Sequence, residues 1–182
     1  DQIQGFFDIQ VDNLHAAPVF YRDIVEQYPD NDITIVSPDI GGIARAREIA
    51  TRLNCNLAII DKRREQPGTS DVMNIIGNIK DKRCILVDDI VDSAGTLCKA
   101  AQALTDSGAR SVSAYSTHGV LSDGALEKVR KSPLESLVIT DSIRATEAVT
   151  AETKVRQLTV APLMADAIGR ISEERSVSCL FE

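Results

Sequence analysis

The 182-residue sequence lacks any hydrophobic run of about 18 residues, so it predicts no membrane-spanning helix. It has only two histidines, which are too few for a histidine-rich metal site. None of its four cysteines forms a CxxC pair, which argues against a zinc site and against a disulfide framework. Because three of them lie in apolar segments, we interpret the cysteines as buried free thiols in a reducing cytoplasm. They are Cys55, Cys84, Cys98 and Cys179.

The charge balance is one-sided, because 27 acidic residues outnumber 20 basic ones. The net charge of −7 argues against nucleic acid as a partner, although small anions could still bind in locally basic pockets. The sequence shows no internal repeat, low-complexity segment or linker. Its length and its 43% of hydrophobic residues suit one domain with one core.

Short apolar runs alternate with amphipathic helical patterns along the chain. Buried parallel strands need nearly continuous apolar character, so we predict an α/β fold with a parallel sheet of about five strands and helices on both faces. The predicted strands are 33–36, 57–60, 84–87, 112–115 and 137–139. The predicted helices are 42–53, 96–106, 123–131 and a terminal helix at about 161–175. Ligands of such folds bind beyond the carboxyl ends of the strands, where we find Asp39, Asp61, Asp88 and Thr117.

The most informative segment is 84–97, where an apolar strand is followed by a turn of small residues and the start of a helix. A turn made of Ser93, Ala94, Gly95 and Thr96 lets several backbone N–H groups approach one anion, and the helix dipole adds to the attraction. Unlike the nucleotide P-loop, this turn contains no lysine. The pattern therefore predicts a phosphate site of another kind.

Three carboxylates, those of Asp88, Asp89 and Asp92, flank the predicted phosphate site. Because carboxylates repel phosphate, we expect them to bind something else, either the hydroxyl groups of a sugar or Mg²⁺. The combination favours a sugar phosphate such as ribose 5-phosphate as the ligand. An ordinary acidic turn between a strand and a helix is the alternative interpretation.

A second strand end carries Ser37-Pro38-Asp39-Ile40-Gly41-Gly42, ahead of a helix that bears Arg45 and Arg47. A carboxylate next to flexible backbone suits a Mg²⁺ ligand or a second anion-binding turn. Asp39 could equally cap the following helix, and the sequence leaves both interpretations open.

A third polar segment begins at Asp61-Lys62-Arg63-Arg64 and continues to Asp71, and we predict a loop without regular secondary structure there. Long loops of this kind are often functional lids. Lys62 and Arg64 are separated by one residue, so in an extended stretch they point the same way and could clamp a triphosphate. A solvent-exposed basic turn is the alternative.

Segment 84–97 strongly resembles the phosphoribosyl pyrophosphate loop of type I phosphoribosyltransferases. The flanking motifs narrow this resemblance to the ribose-phosphate pyrophosphokinases, the family that makes phosphoribosyl pyrophosphate. Those motifs are Gly5-Phe6-Phe7-Asp8, Val11-Asp12-Asn13-Leu14, the segment 37–42, Ala44-Arg45-Ala46-Arg47, the segment 61–64, Ser116-Thr117-His118-Gly119, Ala161-Pro162-Leu163 and Ser176-Val177-Ser178. The resemblance covers essentially the whole chain, in order.

The resemblance implies a type I phosphoribosyltransferase-like fold and an enzyme that moves pyrophosphate from ATP to ribose 5-phosphate for nucleotide biosynthesis, with Mg²⁺ as cofactor. It implies that Lys62 and Arg64 are catalytic and that Asp39 is a metal ligand. The implied substrate-binding residues are Asp88, Asp89, Asp92, Ser93, Ala94, Gly95 and Thr96. It also implies a cytoplasmic homo-oligomer, hexameric in the intact family, that binds neither nucleic acid nor membranes.

The chain begins without an initiator methionine, and members of the resembled family are about twice the size of a single domain of this length. We therefore expect residues 1–12 to be a remnant of an N-terminal domain and residues 13–182 to form a C-terminal domain. Because the family's ATP site uses residues of the other half, we expect this chain to bind ribose 5-phosphate with little or no turnover. An apolar stripe on the terminal helix would then be exposed or self-associate. It consists of Leu163, Ala167, Ile168 and Ile171.

Two other functions stay open. A stand-alone phosphoribosyltransferase would use the same loop, but it needs a hood that recognises a base, and no segment offers one. A non-catalytic regulatory homologue would be expected to lose catalytic positions, whereas Lys62, Arg64 and the acidic loop are present. His118 follows a predicted strand, but the sequence assigns no catalytic role to it or to His15.

Overall fold

A mostly parallel β-sheet forms the centre of the computed structural model, which describes residues 5–63, 72–122 and 124–181. In chain order its strands are β1 (Ile33–Ser37), β2 (Asn56–Arg63), β3 (Val72–Ile76), β4 (Arg83–Val91), β5 (Ser111–Gly119), β6 (Leu134–Thr140) and β7 (Val155–Leu158). The strand order across the sheet is β3-β2-β1-β4-β5-β6-β7. Only the edge strand β3 runs antiparallel to its neighbour within these segments.

Helices cover both faces of the sheet, as predicted. They are α1 (Ala17–Gln27), α2 (Ile43–Leu53), α3 (Gly95–Asp106), α4 (Ala125–Lys131), α5 (Glu147–Thr150) and α6 (Ala161–Ser172), followed by a 3₁₀ turn at Ser178–Leu180. One core lies between the sheet and α3 and α4, and the other lies between the sheet and α1 and α2. None of the helices in the described segments is long and apolar enough to cross a membrane.

The predicted α/β class is confirmed, but the predicted number of strands is too small. All five predicted strands are present and extend further than expected, while β3 and β7 had not been predicted. Helix α1 had not been predicted either, although its Phe20 and Ile24 are buried at helical spacing. The loop predicted from Asp61 is wrong at its start, because β2 continues to Arg63. The rest of that segment, residues 64–71, lies outside the described residues.

In helix α3 the local sequence accounts for both the buried face and the C-terminal end. Leu97, Ala101 and Leu104 are buried on one face, as their spacing predicts. At its end Gly108 has φ 91°, and the N–H of Ala109 donates to the carbonyl of Leu104 at 3.0 Å. This is the hydrogen bonding of a Schellman C-cap, in which glycine at the left-handed position ends the helix.

The cysteine interpretation needs correction. All four cysteines are free, but only Cys84 is buried, while Cys179 on the 3₁₀ turn is exposed. On this turn it is Leu180 that is buried, and the side chain of Cys179 next to it faces solvent. The apolar stripe predicted on α6 is exposed only in part: Ile168 and Ile171 are 63% and 57% exposed, whereas Ala167 is buried and Leu163 is half-buried.

Candidate functional site

Polar residues of four strands meet at one edge of the sheet. The register pairs Val36 with both Ala58 and Leu86, and Leu86 with Ala114, so these four residues lie at one level across β1, β2, β4 and β5. In each of these four chain segments, a predicted polar residue comes two or three positions after this level. These polar residues are Asp39, Asp61, Asp88 and Thr117. The strand ends thus bring together groups that are far apart in sequence, as predicted.

The predicted phosphate turn connects β4 to α3. Strand β4 ends at Val91 and helix α3 begins at Gly95, which leaves Asp92, Ser93 and Ala94 as the turn. Ala94 has φ 57°, a left-handed conformation that costs a non-glycine residue about 1–2 kcal/mol. Such strain is typical of ligand-binding turns, and it directs the first N–H groups of α3 away from the helix body. The predicted strand–turn–helix arrangement is present.

A lysine from another element supports this turn. The Nζ of Lys128, on α4, donates a hydrogen bond to the carbonyl oxygen of Ser93 at 3.0 Å. The sequence analysis missed this residue because it lies 35 positions away from its partner. The turn contains no lysine of its own, but the ammonium group of Lys128 binds its backbone.

Asp88 and Asp89 share one arginine. The guanidinium of Arg45, in the first turn of α2, donates from Nη1 to Oδ1 of Asp88 at 3.3 Å and from Nη2 to Oδ2 of Asp89 at 2.7 Å. The backbone N–H of Asp89 also donates to Oδ1 of Asp88 at 2.9 Å. Burial and the neighbouring charge of Asp89 raise the pKa of Asp88 to about 6, although the Asp89 N–H and Arg45 act in the opposite direction. Asp88 is therefore a half-buried acceptor whose charged form is costly to maintain.

The third carboxylate of the predicted group belongs to the turn instead. Asp92 is exposed, and its backbone carbonyl accepts a hydrogen bond from the N–H of Ser122 at 3.2 Å. Among the described contacts Arg45 bridges only Asp88 and Asp89. The structure thus separates one acidic pair from a single acidic residue in the turn.

Asp39 lies in the turn ahead of α2, but it does not cap the helix, because the N-cap position belongs to Gly42 and carries no side-chain cap hydrogen bond. Its Oδ1 accepts a hydrogen bond from the N–H of Gly42 at 2.9 Å, and its carbonyl accepts one from Oγ of Ser37 at 2.7 Å. A Cβ at Gly42 would lie 2.9 Å from the Ser37 Oγ, so glycine allows this close approach. The hydrogen bond from Gly42 uses one carboxylate oxygen, and Asp39 can still supply the other to a cation.

The described segments contain no group of three or more His, Cys, Asp or Glu side chains that could hold a metal ion. Mg²⁺ often takes only one or two protein carboxylates, with water and substrate phosphates as its remaining ligands. Asp39 fits that limited role as a single ligand. The positions of the two predicted catalytic side chains are not described. The backbone of Lys62 pairs with Met73 in β3, but the side chain of Lys62 and the whole of Arg64 lie outside the described residues.

A cavity of about 640 Å³ opens beside the acidic pair. Both histidines line it, together with Arg45, Asp89 and Thr117. The Nδ1 of His118 is 3.0 Å from Oγ of Ser142, which fixes the orientation of the ring. Of the predicted sugar-phosphate site the cavity reaches only Asp89, since neither Asp88 nor the turn at residues 92–96 lines it.

This fold and this edge define a phosphoribosyl transferase domain. The model of the phosphoribosyl transferase domain family matches residues 13–152, and the chain belongs to that family. A solved adenine phosphoribosyltransferase shares the fold, with a TM-score of 0.52 and 21% identity over 65% of this chain and 75% of that one.

Within the family, the chain is similar to proteins named ribose-phosphate pyrophosphokinase, which confirms the predicted resemblance. It is 63% identical over 181 residues to the one from Granulibacter bethesdensis and 56% identical over 181 residues to the one from Rhizobium meliloti. The match includes 100% of this chain but 58% of each relative, so the chain spans little more than half their length. The solved phosphoribosylpyrophosphate synthetase from Mycobacterium smegmatis superposes with a TM-score of 0.87 at 36% identity, over 96% of this chain and 56% of that one.

Proposed function

We propose that this chain supplies the ribose 5-phosphate site of a ribose-phosphate pyrophosphokinase. In the proposed reaction, the 1-hydroxyl of ribose 5-phosphate loses its proton and attacks the β-phosphorus of ATP. The bond from that phosphorus to the α-phosphate oxygen breaks, so pyrophosphate moves to carbon 1 and AMP leaves. The similarity to named pyrophosphokinases over the whole chain supports this proposal.

The observation that carries the proposal is the acidic pair directly ahead of a strained turn at a helix start. Asp88 and Asp89 would accept hydrogen bonds from the ribose hydroxyls, because carboxylates are acceptors for two O–H donors. The 5-phosphate would bind the segment that runs from Asp92 to Thr96, where the turn leads into the first residues of α3 at Gly95 and Thr96. The two subsites are adjacent in sequence, as the two ends of one sugar phosphate require.

The remaining catalytic groups follow from the resemblance. Asp39 would hold Mg²⁺, which supplies charge neutralisation for the phosphates when bound. Lys62 and Arg64 would stabilise the negative charge that develops during transfer, a role that phosphoryl transfer assigns to cations. We also propose that the chain acts as part of a cytoplasmic homo-oligomer that uses ATP, as the resemblance implies.

The proposal is tested by calorimetric titration of ribose 5-phosphate with Mg²⁺ into the chain and into its Asp88→Asn/Asp89→Asn variant. We expect the variant to bind at least about 100-fold more weakly, because hydrogen bonds to charged acceptors each contribute about 1.5–3 kcal/mol. Inorganic phosphate should bind the variant at least as tightly as the original chain, since the turn is unchanged and two neighbouring negative charges are removed. Glu135→Gln, at an exposed carboxylate on β6, is the matched control and should bind like the original chain. Absence of ribose 5-phosphate binding by the original chain, or equal binding by the double variant, would contradict the proposal.

Loss of the lysine that supports the turn should have a smaller effect. Because Lys128 binds the Ser93 carbonyl at the exposed surface, Lys128→Ala is expected to weaken inorganic phosphate and ribose 5-phosphate binding alike, by about 3- to 10-fold. Lys128→Arg keeps a donor and should lose less. Calorimetry with both ligands checks this, and a loss confined to ribose 5-phosphate would show that Lys128 does not act through the turn.

A further inference from the structure

Arg45 joins two elements that the sequence keeps far apart. It lies in the first turn of α2, and its two terminal nitrogens reach two different carboxylates at the end of β4, at 3.3 Å and 2.7 Å. A guanidinium is a rigid planar donor, so two contacts made by one group fix the distance between their acceptors. Arg45 thereby determines how Asp88 and Asp89 lie relative to each other.

The contacts of Arg45 with both carboxylates, which we call the Arg45 clamp, explain how two neighbouring strand residues can form one site. Successive side chains of a β-strand point to opposite faces, so Asp88 and Asp89 would ordinarily diverge. Arg45 contacts both of them from one side and draws the pair together. The acidic pair can therefore act as one site only while the arginine holds it.

The arginine also leaves one oxygen of each carboxylate for a ligand. It occupies Oδ1 of Asp88 and Oδ2 of Asp89, and the backbone N–H of Asp89 adds a second donor to Oδ1 of Asp88. The donors Arg45 and Asp89 N–H do not use Oδ2 of Asp88 or Oδ1 of Asp89, although the two carboxyl side chains also contact each other. Two such oxygens on a fixed pair match the two O–H donors of a cis-diol.

Charge gives the arginine a second effect. Two neighbouring carboxylates repel each other and would also repel a phosphate bound at the adjacent turn. The positive charge of Arg45 offsets one of the two negative charges. A sugar phosphate therefore meets an acceptor pair with a smaller net charge than its two carboxylates alone would have.

From this geometry we infer that Arg45 is a positioning residue for sugar recognition, which holds Asp88 and Asp89 so that they select a ligand with a cis-diol. The inference rests on the proposed function, since it concerns the same ribose site. Arg45 need not touch the ligand. Its main effect should appear in the preference for the ribose hydroxyls, and the loss of its charge should change phosphate binding only slightly.

The test compares three ligands by calorimetry: ribose 5-phosphate, 2-deoxyribose 5-phosphate and inorganic phosphate. The original chain should prefer ribose 5-phosphate over its 2-deoxy analogue by about 10-fold or more, because the analogue leaves a carboxylate oxygen unpaired. In Arg45→Gln we expect ribose 5-phosphate to bind about 10- to 100-fold more weakly and the preference to fall towards 1, with phosphate affinity within about 3-fold. Arg45→Lys keeps the charge without the fork and should recover only part of the preference.

The matched control is Arg47→Gln, which removes an exposed arginine two positions along the same helix and should change none of the three affinities. Circular dichroism would verify that each variant is folded. If Arg45→Gln does not fold, the comparison of the three ligands is made with Arg45→Lys instead. An unchanged preference in the Arg45 variants would overturn the inference while leaving the proposed function in place. An equal loss of all three ligands would overturn it as well, because it would indicate a purely structural role. No preference in the original chain would overturn both.

Discussion

Asp23→Ala is expected to lower the free energy of unfolding by about 3 kcal/mol, because it removes the centre of a buried polar network. The carboxylate of Asp23, on α1, accepts a hydrogen bond from the hydroxyl of Tyr115 at 2.6 Å. It also accepts two from the guanidinium of Arg156, at 3.0 Å and 2.6 Å. Alanine would leave the buried hydroxyl without its partner and the arginine without its counter-ion.

The network matters because of what it connects. Tyr115 lies in the interior strand β5, while Arg156 lies in the edge strand β7, so one carboxylate connects α1 to both strands. Burial, and then the hydrogen bond to Asp23, raise the pKa of Tyr115, and the hydrogen bond to Asp23 raises the pKa of Arg156. Both directions mean that the network is most stable with Tyr115 neutral and Arg156 charged.

Urea denaturation of the variant and the original chain would measure the loss. Tyr115→Phe removes one hydrogen bond and should cost about 1 kcal/mol, less than Asp23→Ala, because the Arg156 pair persists. Glu127→Ala, which breaks the exposed pair with Lys131, is the control and should change stability by less than about 1 kcal/mol. An Asp23→Ala variant as stable as Glu127→Ala would show that the network contributes specificity rather than stability.

The same network explains why β7 could not be predicted from the sequence. Its central residues Arg156 and Gln157 are polar, so the strand lacks the apolar run by which the buried strands were found. Its position depends on pairing with β6 and on a contact between Arg156 and Asp23, which are 133 residues apart. Contacts over that distance leave no local pattern.

In the candidate site, too, features set by local sequence could be predicted and features set by distant contacts could not. The turn after β4 was predictable, because an apolar strand, small residues and a helical pattern all lie within segment 84–97. A capping role for Asp39 was one of two open alternatives, and the structure instead gives the N-cap position to Gly42, whose N–H Asp39 binds within the preceding turn. The Arg45 clamp was not predicted, since nothing in the local sequence of α2 indicates that this arginine, and not Arg47, faces Asp88.

The raised pKa of Asp88 leads to a second large effect, on stability at different pH. Asp88→Asn is expected to stabilise the ligand-free fold at about pH 8 by about 1–3 kcal/mol and to have almost no effect at about pH 4. In the unfolded chain the carboxyl loses its proton near its ordinary pKa of 3.8, whereas in the fold burial raises the pKa to about 6. Between these values the folded state binds the proton more tightly, so stability is lost as the pH rises through 6. Asparagine carries no charge and removes this loss.

Thermal unfolding of the two proteins at about pH 4, 6 and 8 would test this expectation, with the difference in stability growing over that range. Glu135→Gln should show no such growth, because its carboxylate is exposed. A variant less stable than the original chain at about pH 8 would mean that the ion pair with Arg45 outweighs the cost of burying the charge. The expected result also bears on function, because a carboxylate that destabilises the ligand-free fold must serve a purpose other than stability. Binding two sugar hydroxyls would be such a need, and the asparagine that stabilises the fold should be the substitution that weakens ribose 5-phosphate binding.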